Sequence, residues 1–140
     1  MAKSKAAIVE AQALAEKAAG ILFSKKVEDA VLLDLRGLSS LTDFYLICTC
    51  QNETQMRGVL HHVYRVLSRE GIKALRSEYH SGVRWAVLDY GDLIIHLFEK
   101  DTRSYYSLER LWADAKATKL KPEDYVTHEE ETAEDEDEDL

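Results

Sequence analysis

The chain has 140 residues, of which 46% are hydrophobic, and this length suits a single domain with a buried core. No run approaches the roughly 20 consecutive apolar residues that cross a bilayer, and no apolar block of the signal-peptide type opens the sequence. We therefore expect a cytoplasmic protein with no membrane partner.

The formal charge of −8 is concentrated at one end of the sequence. Of the 26 acidic residues, nine lie between positions 129 and 139, which leaves 17 to balance the 18 basic residues. A body with this balance lacks the basic surface by which proteins bind nucleic acids through charge. We expect little direct nucleic-acid binding.

The first half of the chain predicts two helices and two strands. Apolar residues recur every three or four positions from Ile8 to Leu22, which indicates an amphipathic helix. Apolar runs at 30–35 and 43–50 predict two strands that pair as a wide hairpin, with the first strand central in the sheet. Asn52 followed by Gln55 is typical of a helix N-terminus, and helical spacing continues to residue 71.

The second half predicts three more strands. Residues 73–77 form a strand reached by a parallel crossover, and 84–89 and 93–98 form two strands joined by a tight turn at 90–92. Residues 106–112 form a short helix that turns its apolar side to the core with Leu108, Leu111 and Trp112. The expected fold class is α/β, a mixed sheet of about five strands with flanking helices. We expect one domain over 1–120 and a disordered acidic tail over 121–140.

Several residue types invite a chemical interpretation that their spacing does not support. Cys48 and Cys50 lie two apart in a strand, so both side chains share a face as buried thiols, without disulfide geometry or a zinc ligand set. His61 and His62 are adjacent on a helix, which favours surface histidines. The sequence has no phosphate-binding glycine loop and no nucleophile elbow. We expect no catalytic residue, no metal site and no cofactor.

Four positions near the last hairpin leave two interpretations open. Asp89 and Asp92 flank the turn as either paired carboxylates for a cation or structural or contact residues, and the backbone bonding of aspartate in such turns favours the second. Trp85 opens a strand and is either a half-exposed anchor or a core residue. His96 is either a core histidine or a contact residue.

Four segments in this order resemble the ribosomal silencing factor family, also called Iojap-like proteins. They are TDFYLICT (42–49), SREGIK (68–73), WAVLDYGDLIIHLF (85–98) and RSYYSLERLWADA (103–115). The likeness extends from about residue 8 to residue 115. It implies a nucleotidyltransferase-like fold and binding to ribosomal protein fourteen of the large ribosomal subunit. A domain bound there would block subunit association and repress translation without catalysing a reaction, and the resemblance also implies a role in large-subunit maturation.

The resemblance also implies which residues contact the partner. The partner-binding role passes to the positions that match the family's motifs, namely Trp85, Asp89, Tyr90, Asp92 and His96, with Asp43 as a support at a strand entry. Two other functions stay open: a nucleotidyltransferase-related enzyme, and a homodimeric scaffold or a homodimer when unbound. Against the enzyme, the loop at 50–53 lacks the Gly-Ser pair of those enzymes.

Overall fold

The computed structural model describes residues 5–128 and the side chains of residues 10–125. The helices are α1 (Lys5–Ser24), α2 (Glu53–Arg69), α3 (Lys100–Tyr106) and α4 (Leu108–Leu111), and a 3-10 helix, Pro122–His128, follows. The strands are β1 (Glu28–Asp34), β2 (Phe44–Cys50), β3 (Arg76–His80), β4 (Trp85–Asp89), β5 (Leu93–Glu99) and β6 (Lys116–Lys119). No helix among the described residues is long and apolar enough to cross a membrane.

The strands form one mixed sheet in the order β3-β4-β5-β2-β1-β6, which confirms the α/β class. The hairpin of β1 and β2 is confirmed, with Leu32 opposite Leu46. The sheet has six strands instead of five, because β6 is an edge strand whose four residues are all exposed and carry no apolar run. β1 lies between β2 and β6, so the prediction of a central position for it was wrong; β2 and β5 are central.

The crossover through α2 ends at the far edge of the sheet. The strand expected at 73–77 begins at Arg76, and β3 pairs only with β4, antiparallel, among the described residues. The parallel neighbour of β2 is β5, so the crossover passes over two strand positions. The exposed side chains of β3 suit an edge strand.

Helix α2 begins as its sequence predicts. The backbone N–H of Gln55 donates to Oδ1 of Asn52 at 2.8 Å, and Oε1 of Gln55 accepts from the N–H of Gln51 at 2.6 Å. His61 is exposed but His62 is buried, so the prediction of two surface histidines was wrong for His62. Neighbouring helical residues point about 100° apart, and only one of the two can face the sheet.

The segment after β5 holds two short helices instead of one. Ser107, at a φ of 46°, ends α3 and starts α4 in a new direction. Leu108 is buried as predicted, whereas Leu111 is 72% exposed, so its assignment to the core was wrong. Trp112 is partly buried. Helix α4 has only four residues and ends at Leu111, so the regular helical spacing on which the assignment rested does not continue there.

Ordered structure continues past residue 120, where the sequence predicted the tail to begin. In the 3-10 helix the ring of Tyr125 lies 5.4 Å from that of Phe23 in α1. Leu120 and Tyr125 both pack against the larger core, which holds this short segment on the domain. The acidic residues 129–139, on which the prediction of disorder mainly rests, lie outside the described residues.

The helices divide the sheet into two unequal faces. One face packs against α1 and α2 and contains most of the core, including Cys48 and Cys50. The other face carries a smaller apolar cluster under α3 and α4, centred on Leu33, Ile47 and Phe98. The second face and the loops at the strand ends leave aromatic and apolar side chains partly or fully exposed.

Candidate functional site

The second face carries an aromatic cluster, which we call the aromatic face. Its members are Tyr45, Trp85, His96, Phe98, Tyr106 and Trp112. The indole N–H of Trp85 donates to Nδ1 of His96 at 3.1 Å. The Trp85 ring centroid lies 4.9 Å from that of Phe98 and 4.8 Å from that of Tyr106. Trp85 is therefore partly buried and fixed in orientation, with one edge at the surface.

His96 sits in the middle of this cluster as a neutral side chain. Burial lowers its pKa to about 4, although the nearby carboxylate of Asp89 acts in the opposite direction. Because Nδ1 accepts from Trp85, the ring proton lies on Nε2, which is buried and has no hydrogen-bond partner within residues 5–128. At 5% exposure, His96 supports the orientation of Trp85 and offers little contact surface itself.

Asp89 and Tyr90 leave the end of β4 in different directions. The Asp89 carboxylate accepts from the N–H of Gly91 at 2.8 Å and from the Arg76 guanidinium at 3.2 Å, so it serves the turn. Tyr90 packs against the core on the α1 and α2 side, and burial raises its pKa to about 12. The structure therefore brings Trp85, Asp89 and His96 to one face and places Tyr90 on the other.

Asp43 and Asp92 meet where the parallel strands β2 and β5 begin. The backbone N–H groups of Asp43 and Phe44 donate to the carbonyl oxygen of Asp92 at 3.2 and 3.1 Å. This joins the loop before β2 to the turn before β5. Asp43 is 9% exposed and supports the strand entry, whereas Asp92 is partly exposed at the tip of the turn.

Three leucines at this same end were missed by the sequence analysis. Leu41 is 86% exposed, Leu75 70% and Leu38 45%. Leu38 and Leu41 lie in the loop from β1 to β2, and the N–H of Leu75 donates to the carbonyl of Asp89 at 2.7 Å. The available signal was an apolar residue within a polar loop, which no periodic pattern assigns to the core. We call these leucines with Asp43 and Asp92 the apolar–acidic end.

The two cysteines take no part in this surface. Both are fully buried, and burial raises the pKa of each thiol, that of Cys50 to about 12. A thiol that stays protonated at neutral pH is a poor nucleophile and a poor metal ligand. Their role is packing in the larger core.

Comparison with known proteins connects this geometry to a family. The family model described as "ribosomal silencing factor during starvation" matches residues 8–139. A protein named ribosomal silencing factor from Halalkalibacterium halodurans is 38% identical over 110 residues, covering 79% of this chain and 94% of that protein. One of the same name from Bacillus subtilis is 37% identical over 98 residues, covering 70% and 83%.

A solved structure shows the same fold. A crystal structure from Bacillus halodurans is 37% identical, has a TM-score of 0.67, and covers 78% of this chain and 99% of that one. The sequence resemblance is thereby confirmed over the domain, and the chain belongs to the family of ribosomal silencing factors.

Proposed function

We propose that this chain binds the large ribosomal subunit in the cytoplasm and blocks its association with the small subunit, which represses translation. The observation that carries the proposal is the apolar–acidic end. Leu41 and Leu75 are exposed at the same end of the sheet as Asp92, and the N–H of Leu75 donates to the carbonyl of Asp89, where the turn at 90–92 begins. Exposed large apolar side chains at one end of a domain are a candidate contact surface, and the relatives are named ribosomal silencing factors.

The partner at this end is a basic ribosomal protein, ribosomal protein fourteen. The leucines would supply desolvated apolar area, while Asp92 would pair with lysine or arginine and fix the register. Trp85 would contribute the edge that the aromatic face leaves at the surface. Asp89, His96 and Asp43 hold the surface in shape, because each is mostly buried or engaged in the turn. Tyr90, which faces the core, supports the same turn.

The mechanism is steric and requires no bond to be made or broken. A related enzyme would hold phosphate at the loop 50–53, but here the polar groups of that loop start α2. Oδ1 of Asn52 accepts from the N–H of Gln55, and the N–H of Gln51 donates to Oε1 of Gln55. That arrangement supports a binding protein over a nucleotidyltransferase. A thermal melt with nucleotide and divalent metal ion tests the enzyme alternative, because metal-dependent nucleotide binding would raise the melting temperature.

Sedimentation with purified subunits tests the proposal. We expect the full chain to pellet with large subunits and to remain in the supernatant with small subunits. Equal pelleting with both would contradict it. Measuring the mass of the protein in solution without ribosomes gives its oligomeric state. A mass near twice 16.0 kDa would show that the unbound protein pairs with a second copy.

A further inference from the structure

A second surface lies at the opposite end of the sheet. A cleft of about 530 Å³ opens there between the strands and the two short helices α3 and α4. Its charged lining residues are four basic and two acidic, namely Lys100, Arg103, Arg110, Lys119, Asp29 and Glu109. We call this the basic cleft. Its net positive charge contrasts with the acidic balance of the whole chain.

Arg103 forms the floor of the cleft. Its side chain is 12% exposed and donates to the carbonyl of Asp29 at 2.6 Å, to Oγ1 of Thr49 at 2.8 Å and to Oε2 of Glu109 at 2.9 Å. The guanidinium therefore neutralises Glu109 and joins α3 to the ends of β1 and β2. It is a positioning residue that shapes the cleft.

The three cations at the rim are left for a ligand. Lys100, Arg110 and Lys119 are exposed, and none has an ion pair within the part of the chain that the structure describes. Asp29 is the remaining acid of the lining. Three like charges gathered around one open cleft repel each other, and an anion relieves that repulsion.

The lining favours a phosphate over a nucleobase. It contains no aromatic ring on which a base could stack, whereas it offers cations and the exposed hydroxyl group of Ser104. We propose that the basic cleft binds the phosphodiester backbone of RNA without reading its sequence. This differs from the expectation of little nucleic-acid binding, which rested on the overall charge and not on its placement. That the RNA belongs to the large subunit rests on the proposed function; the binding of RNA itself does not.

Fluorescence anisotropy of a short labelled RNA duplex with the full chain tests the proposal. Three phosphate contacts predict that affinity falls about fortyfold between about 50 mM and about 200 mM salt. Lys119→Gln should reduce the logarithmic salt slope by about 1, and the triple variant Lys100→Gln, Arg110→Gln, Lys119→Gln should abolish salt-sensitive binding. Lys73→Gln removes the same charge from the exposed loop before β3 and should leave the slope unchanged.

Each outcome decides the matter. Wild-type binding by the triple variant, or an equal loss in Lys73→Gln, overturns the proposal. No measurable RNA binding by the full chain also overturns it, whether or not binding appears after removal of residues 129–140. A protein that binds RNA with the expected slope but does not pellet with large subunits keeps the cleft assignment and contradicts the proposed function.

Discussion

The two ends of the sheet are stabilised in different ways and present different chemistry. At the apolar–acidic end, backbone hydrogen bonds through the carbonyls of Asp89 and Asp92 hold the loops, and leucine side chains remain exposed. At the basic cleft, the buried guanidinium of Arg103 holds the elements together, and cations remain exposed. A small domain can therefore offer one surface to protein and another to RNA, because the groups that stabilise each surface are separate from the exposed side chains that would contact the partner.

The largest effect is expected from removing the floor of the basic cleft. Arg103→Ala leaves the carbonyl of Asp29, the hydroxyl of Thr49 and the carboxylate of Glu109 without their donor. We expect the free energy of unfolding to fall by about 3 kcal/mol. Arg110→Ala, at the exposed rim of the same cleft, should change it by less than about 0.5 kcal/mol. Urea denaturation of both variants measures this; equal losses would show that Arg103 is not the anchor.

At the other end, removing apolar surface should weaken binding without unfolding the protein. The double variant Leu41→Ala, Leu75→Ala should weaken large-subunit binding by about thirtyfold, since anchor residues typically contribute about 2 kcal/mol. Leu111→Ala is the matched control, because Leu111 is 72% exposed but lies on α4. Binding titrations compare the three proteins. A loss of affinity in Leu111→Ala as large as in the double variant would move the contact surface to α4.

Between the two ends, the aromatic face should be sensitive to acid. The folded pKa of His96 is about 4, below its ordinary value of 6.5, so the unfolded state binds the proton more tightly. The contribution to stability is complete above about pH 6.5 and is lost as the pH falls toward 4, with about 2 kcal/mol lost between about pH 7 and about pH 5.

The variant His96→Gln isolates this contribution from other acid-sensitive groups. Its amide oxygen can still accept from Trp85, but the side chain does not titrate. Urea denaturation of both proteins across this pH range should show the extra loss only in the wild type. Parallel curves would mean that His96 is not buried in neutral form.

The smallest expected effect concerns the charge at the apolar–acidic end. Asp92→Asn should slow association with the large subunit by less than about fivefold and reduce its salt dependence, because a charge at an interface rim acts mainly through the on-rate. Asp101→Asn, an exposed acid on α3, is the control. Stopped-flow measurements of the association rate at two salt concentrations test this prediction. An unchanged salt dependence in Asp92→Asn would show that Asp92 does not lie at the interface.

The fold was predictable wherever local patterns determine it. The cap of α2, the hairpin of β1 and β2 and the turn at 90–92 follow from residue types a few positions apart. The failures arise where tertiary contacts or backbone geometry decide. Strand β6 has no apolar pattern and depends on its neighbour β1, and the break at Ser107 requires a left-handed φ that a serine does not announce.

The candidate site was predictable in part, for a related reason. The motif around Trp85 and Asp89 pointed to the hairpin of β4 and β5, but sequence order could not show that Tyr90 faces the core or that the N–H of Leu75 bonds to Asp89. Nor could it show how buried a tryptophan is. Trp85, expected to be either a half-exposed anchor or a core residue, packs its ring against His96, Phe98 and Tyr106, so its truncation should lower stability as well as binding.

The central claim is that the apolar–acidic end docks on the large subunit and thereby prevents subunit joining. Light scattering of mixed large and small subunits, with wild-type protein or the Leu41→Ala, Leu75→Ala variant, tests it most directly. We expect excess wild-type protein to lower the fraction of joined subunits. The double variant should reach the same effect only at a concentration about thirtyfold higher. Subunits that join equally well with and without the wild-type protein would contradict it.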